Sequence, residues 1–159
     1  MKNTIKSTLA LILALLMTLC LFSCKNGEAE TPQTSGVAAE NEGPIAPEGL
    51  WKDATYLKDT EFGEGAKTVK VKVIVGEQSV TFTIKTDAET LGDALLAHGL
   101  IAGDQGDFGL YVKVVNGITA DYDIDQSYWG FSKNGEYMMT GVDGTAIADG
   151  EVYELTYTK

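Results

Sequence analysis

Valines 69, 71, 73 and 75 alternate with Lys70, Lys72 and Ile74, and Val80, Phe82 and Ile84 repeat the alternation beyond residues 76–79. A period of two places one set of side chains on a single face of an extended strand. The two runs therefore predict a hairpin with one buried face. The period then changes. Thr86-Asp87-Ala88-Glu89 has the spacing of a capping box, in which hydroxyl and carboxylate satisfy the free amides at a helix start. Leu91, Ala94 and Leu95 follow at helical spacing, and Gly99 suits the left-handed residue just past a helix end. One short helix is predicted over about 88–98.

Strand patterns fill the remainder. Residues 110–115 read as a strand ending at Asn116-Gly117, and 128–133 and 136–140 flank a second such pair, Asn134-Gly135. Both pairs suit a two-residue hairpin turn, which needs positive φ at its two central positions. Asp149-Gly150 leads into 152–157, where Tyr153, Leu155 and Tyr157 share a face. A hairpin, one short helix and several further strands describe an α+β domain with a mixed sheet wrapped on the helix, β-grasp in outline. Residues 50–65 mix Trp51, Tyr56 and Phe62 with acids in no clean period, a lead-in able to add an edge strand.

The first 50 residues have a different character. Lys2 and Lys6 precede a charge-free apolar run at 9–22, too short for the ~20 residues that span ~30 Å of hydrocarbon as a helix. It has the form of an export signal. Leu21-Phe22-Ser23-Cys24 resembles the lipobox of bacterial lipoproteins, so 1–23 are expected to be a lipoprotein signal peptide and Cys24 the lipidated residue. Residues 24–50 hold all three prolines amid Glu, Thr, Gln, Ser, Ala and Gly, a composition expected to form a flexible, low-complexity tether. The folded domain is then expected over 51–159, extracytoplasmic and lipid-anchored to the bacterial cell membrane.

Charge narrows the function. The chain carries 23 acidic residues and 12 lysines with no arginine, a formal net charge of −11. Nucleic acid is excluded as a partner, because binding a polyanion needs clustered Lys and Arg. With one histidine and two cysteines the chain cannot build a disulfide framework, a four-thiolate zinc site or a two-histidine metal centre. No nucleophile sits in a recognisable elbow, and the chain is not expected to be an enzyme. No resident cofactor or metal is expected either.

Three features remain as candidate chemistry. Asp121, Asp123 and Asp125 resemble the opening of a calcium loop, but Gln126 replaces the required glycine and Ser132 the closing glutamate. A solvated strand edge is the expected reading. His98, at the end of the predicted helix, is more simply explained by the helix dipole than as a cofactor ligand. Eight aromatic residues fall between Tyr111 and Tyr157. Tyrosine and tryptophan join an apolar face to a polar edge, which suits a ligand-binding surface. The candidate ligand-binding set is Tyr111, Tyr122, Tyr128, Trp129 and Tyr137, with Phe131, Tyr153 and Leu155 expected in the core.

In order along the chain, Gly109-Leu110-Tyr111, Val115-Asn116-Gly117-Ile118, Asp121-Tyr122, Tyr128-Trp129-Gly130-Phe131, Asn134-Gly135-Glu136-Tyr137, Gly141-Val142-Asp143 and Asp149-Gly150-Glu151-Val152-Tyr153-Glu154 resemble the C-terminal β-domain of transcobalamin and intrinsic factor. More closely they are similar to the transcobalamin-like domains of bacterial lipoproteins, over about 69–157. The resemblance implies a β-grasp domain holding a soluble small-molecule ligand, cobalamin or another corrinoid, in support of vitamin uptake through a membrane transporter. The alternative is a protein-interaction or adaptor domain attached to a transporter or to the cell surface.

Overall fold

The computed structural model describes residues 43–159. The expected signal peptide, Cys24 and the tether up to residue 42 lie outside these residues. The described chain forms β1 (Thr60–Phe62), β2 (Lys67–Val75), β3 (Gln78–Thr86), α1 (Leu91–Leu96), β4 (Ile101–Gly106), β5 (Gly109–Val115), β6 (Ile118–Thr119), α2 (Tyr122–Asp125), β7 (Tyr128–Lys133), β8 (Glu136–Tyr137) and β9 (Val152–Thr158). Single 3-10 turns occur at Gly49–Asp53 and Val142–Gly144.

Six strands form one mixed sheet in the order β1-β3-β2-β9-β7-β8, and β4-β5-β6 form a second. In the large sheet β2 runs antiparallel to β3 and parallel to β9, and β9 runs antiparallel to β7. Register follows the hydrophobic alternation. Val71 lies opposite Phe82 on one side and Tyr153 on the other, and Val73 lies between Val80 and Leu155. All six of these residues are buried on one face, against Leu91, Ala94 and Leu95 of α1. A slip of one residue would turn this row into water, at about 1.5–3 kcal/mol for each large apolar side chain.

The helix begins later than its sequence suggests. Thr86 Oγ1 accepts from the Ala88 N–H and Asp87 Oδ1 from the Ala66 N–H, so the expected cap hydroxyl serves the turn leaving β3. Residues 89–91 are meanwhile held extended against 145–147, with Ile147 N–H donating to Glu89 O and Leu91 N–H to Thr145 O. Thr90 becomes the cap, accepting from Asp93 N–H at 3.1 Å. The far end closes as expected at Gly99, with φ +63° and Leu100 N–H returning to Leu95 O.

Four other expectations need correction. Ile45, assigned to the tether, is buried and its N–H donates to Leu57 O at 2.6 Å, so ordered packing starts before residue 50. The Asp121/Asp123/Asp125 segment is a one-turn helix rather than a strand edge: Asp121 accepts from Asp123 N–H, and Gln126 ends the turn at φ +65°. The strand over 136–140 shortens to two residues because the chain leaves β7 after Met138. The strand β4 was not expected, since Ala102-Gly103-Asp104-Gln105-Gly106 has no apolar alternation. It pairs with β5 across a bulge at Gly103, where any Cβ would lie 1.9 Å from Tyr111 O.

Candidate functional site

At the β8 side of the large sheet, the outer edge of β7, the segment 137–142 and the first residues of β5 enclose a recess of about 290 Å³. The local sequence explains its form. Asn134-Gly135 turns the chain tightly, with φ near +51° and +81°, and carries Glu136 and Tyr137 back along β7. After Met138 donates to Phe131 O the chain swings away, and Thr140 and Thr145 tie the departing loop through their hydroxyls at 3.2 Å. The recess is the gap left beside β7.

Tyr111, Tyr128, Trp129 and Tyr137 all line this recess. Tyr122 does not. It stands more than half exposed on α2 and is not among the lining residues. Tyr137 and Tyr111 are exposed, Tyr128 less so, and Trp129 is 8% exposed with its ring edge-on to Tyr157 at 5.6 Å. Phe131, Tyr153 and Leu155 are buried, and Phe131 stacks on Tyr153.

The remaining walls come from residues to which the sequence pattern gave no ligand role: Leu110, Val112, Met138, Met139 and Val142. Gly141-Val142-Asp143 was conspicuous as a motif, but its packing role depends on distant partners and could not be seen in it. Among the residues lining the recess none is charged. The indole N–H of Trp129 is buried and has no hydrogen-bond partner.

Charge is organised around the recess rather than in it. Lys113 lies 5.9 Å from the centre of the Tyr111 ring and pairs with Asp104 at 2.9 Å and Asp121 at 3.0 Å. Those hydrogen bonds, from Asp104 first, hold the ammonium above its ordinary range, and the Lys113 bond lowers Asp121. On the other flank Glu151 accepts from Lys133 Nζ at 2.5 Å, from Tyr153 Oη and from Ala148 N–H. Burial opposes its charge, but these donors outweigh burial and hold the carboxyl at about 2. Tyr153 is pushed up, first by burial and then by the bond to Glu151.

The other candidate residues lie elsewhere. His98 packs beside Phe62 with ring centres 5.4 Å apart, and Gly63 lies so close that a Cβ would approach its Nε2 to 2.9 Å. Among the described residues no group of three or more His, Cys, Asp or Glu side chains could hold a metal ion. A wider depression of about 590 Å³ lies over the outer face of the large sheet, walled by Lys70, Lys72, Glu61 and Glu154 among others, and contains none of the candidate aromatics. Its mixed charges are those of a solvated sheet face.

Comparison with known proteins adds three findings. A domain of unknown function (DUF4430) matches residues 88–159. A proposed metal-binding protein of known crystal structure from Ruminococcus gnavus ATCC 29149 is 37% identical, with a TM-score of 0.56, and the match covers 59% of this chain and 98% of that one. Haptocorrin in complex with Cbi matches at 20% identity and a TM-score of 0.46, over 62% of this chain and 26% of haptocorrin. No curated protein matches the chain.

Proposed function

We propose, for a chain that belongs to the same family as the Ruminococcus gnavus protein, that the recess beside β7 binds a soluble small ligand. The observation that carries this reading is the convergence of Tyr111, Tyr128, Trp129 and Tyr137, from three separate segments, on one cavity without a charged lining residue. Such walls favour a neutral ligand with a broad apolar face and a polar rim. The name of the relative suggests metal. The described residues gather no acid, imidazole or thiol cluster for one, so the ligand proposed here is organic.

Cobalamin or another corrinoid is the ligand we favour, on the resemblance to the transcobalamin β-domain. The mixed sheet packed on α1 supports the β-grasp reading that accompanies it. A recess of about 290 Å³ is below the usual size of a ligand pocket, so a corrinoid would rest against it and leave much of its surface in water. Modest affinity follows. The proposal is binding and not catalysis. It includes a Cys24 lipid anchor, removal of 1–23, an extracytoplasmic position and service to a vitamin transporter.

One observation favours an adaptor instead. Phe108 and Met139 are almost completely exposed, at 102% and 93%, and Met139 lines the recess together with Tyr137, apolar surface that a docked protein would cover. Equilibrium dialysis of the full chain against dicyanocobinamide separates the readings. Saturable binding at a single site, abolished by loss of the recess aromatics, supports the ligand reading. Absence of binding through the millimolar range removes the corrinoid, and a specific partner recovered from solubilised membranes would then support the adaptor.

A further inference from the structure

The hydrogen-bonding alternation of β7 can be fixed from two bonds. Asn134 N–H donates to Val152 O on the β9 side, whereas Phe131 O accepts from Met138 N–H on the β8 side. Since neighbouring residues of an antiparallel strand turn their main-chain groups to opposite sides, Tyr128, Gly130 and Ser132 face β9, and Trp129, Phe131 and Lys133 face outward. The strand β8 pairs only with Ser132 and Lys133, and Met138 serves Phe131. Trp129 is therefore the position at which the outer edge has lost its partner. Among the described residues no strand lies beyond it, and the recess opens there.

Trp129 thus carries an unpaired main-chain N–H and C=O at this edge, besides an indole N–H that is buried without an acceptor. An unpaired strand edge offers a donor and an acceptor at fixed spacing. A carboxamide carries the complementary pair in one plane. Resting on the reading of the recess as a binding site, we propose that the β7 edge at Trp129 recognises a carboxamide of the ligand, whose C=O accepts from Trp129 and whose N–H donates to Trp129 O. The uncharged walls agree with a neutral group of this kind, and an ester or carboxylate would lack the donated hydrogen.

Corrinoid side chains and a polypeptide backbone both supply such amides, and the experiment distinguishes them. The full chain is titrated by equilibrium dialysis with dicyanocobinamide, with the heptamethyl ester of dicyanocobyrinate, and with a short uncharged extended peptide capped at both ends. The first two share a ring. The ester is the more apolar, so unspecific apolar contact alone would favour it. The amide form is expected to bind at least about fivefold tighter, the effect of one hydrogen bond left unmade. Equal or tighter binding of the ester overturns the proposal. Binding of the peptide without either corrinoid supports amide recognition and assigns it to polypeptide. Failure of all three overturns the reading of the recess itself.

A residue-specific readout accompanies the titration. In an amide-correlation NMR spectrum, the Trp129 main-chain signal and its indole N–H are expected to shift with saturating amide ligand. Saturation with both signals unmoved also overturns the proposal.

Discussion

Asp143 Oδ2 accepts a hydrogen bond from the Leu110 N–H at 2.9 Å, joining two residues 33 positions apart. The bond ties the start of β5 to the Gly141-Val142-Asp143 loop, and both segments contribute walls of the recess. Close packing of this kind needs glycine on three sides. A Cβ on Gly109 would lie 2.4 Å from Asp143 Oδ2, one on Gly141 2.8 Å from Oδ1, and one on Gly92 2.8 Å from the Asp143 Cα.

Replacing Asp143 by Ala is accordingly expected to cost about 1–3 kcal/mol, because the half-buried Leu110 N–H loses its acceptor. Gly109→Ala is expected to cost at least as much, since it adds a collision at a backbone with φ +104°. Urea unfolding measures both. An Asp143→Ala chain as stable as the parent would show that the clamp does not hold the two walls together.

Two identical dipeptides make a second test. Asn116-Gly117 and Asn134-Gly135 both turn with positive φ at each residue. Only Asn116 is buried, and its side chain pairs with the lead-in like a strand, accepting from Tyr56 N–H at 2.9 Å and donating to Tyr56 O at 2.8 Å. Asn116→Ala should therefore destabilise by about 2–4 kcal/mol, and Asn134→Ala by about 1 kcal/mol or less. Chemical denaturation of the two variants side by side decides it. Equal losses would reduce Asn116 to an ordinary turn residue.

This pair also shows what the sequence made legible. Local rules located both turns, the long hairpin and the helix end at Gly99, because each depends on residues within a few positions of one another. The same rules placed the helix cap at Thr86, and failed because the competing bonds to 66 and 145–147 come from far along the chain. Strand β4 was invisible for a related reason: its pairing is set by the edge that β5 presents, not by its own glycine-rich composition. In the site, residue type picked out four aromatics that share a cavity. Tyr122 has the same chemistry, and only tertiary geometry separates it from them.

The cap itself is open to test. Thr90→Ala should cost about 1 kcal/mol by freeing Asp93 N–H at the start of a helix of six residues. Thr86→Ala removes only the bond from Ala88 N–H and is expected to cost less. Thermal unfolding of both variants checks the order, and a larger loss for Thr86→Ala would return the cap to the position its sequence suggests.

Acid should weaken the domain through Glu151. Its carboxyl lies at about 2 when folded, below the about 4.3 of a free glutamate. The folded state therefore prefers the carboxylate. This stabilisation is complete above the free value and is lost as pH falls from there toward about 2. Asp125 acts in the same direction, held at about 2 by Lys159 first and Ser127 next. Urea midpoints measured from pH 6 to pH 2 should decline mainly below about 4.5. Glu151→Gln should lose about 1–2 kcal/mol at pH 7 and show a shallower decline, because the charged bond to Lys133 is gone. An unchanged acid profile in that variant would place the sensitive carboxylate elsewhere.

The binding proposal makes its sharpest demand on two exposed tyrosines. Tyr137 lines the recess and Tyr122 does not, yet both project from short elements and neither is buried. Truncating either should leave stability within about 0.5 kcal/mol of the parent, as for other surface positions, so changes in binding would not reflect misfolding. A ring that covers part of a bound ligand contributes on the order of 1–2 kcal/mol through apolar contact. Tyr137→Ala should therefore weaken dicyanocobinamide about five- to thirtyfold, while Tyr122→Ala leaves the dissociation constant unchanged. The order matters more than the size. Because the recess is shallow, loss of one wall exposes the ligand face that it covered, whereas a ring on α2 covers none of it. Equal weakening by the two substitutions would mean that the ligand is recognised over a broad aromatic surface reaching α2, and the recess would no longer define the site.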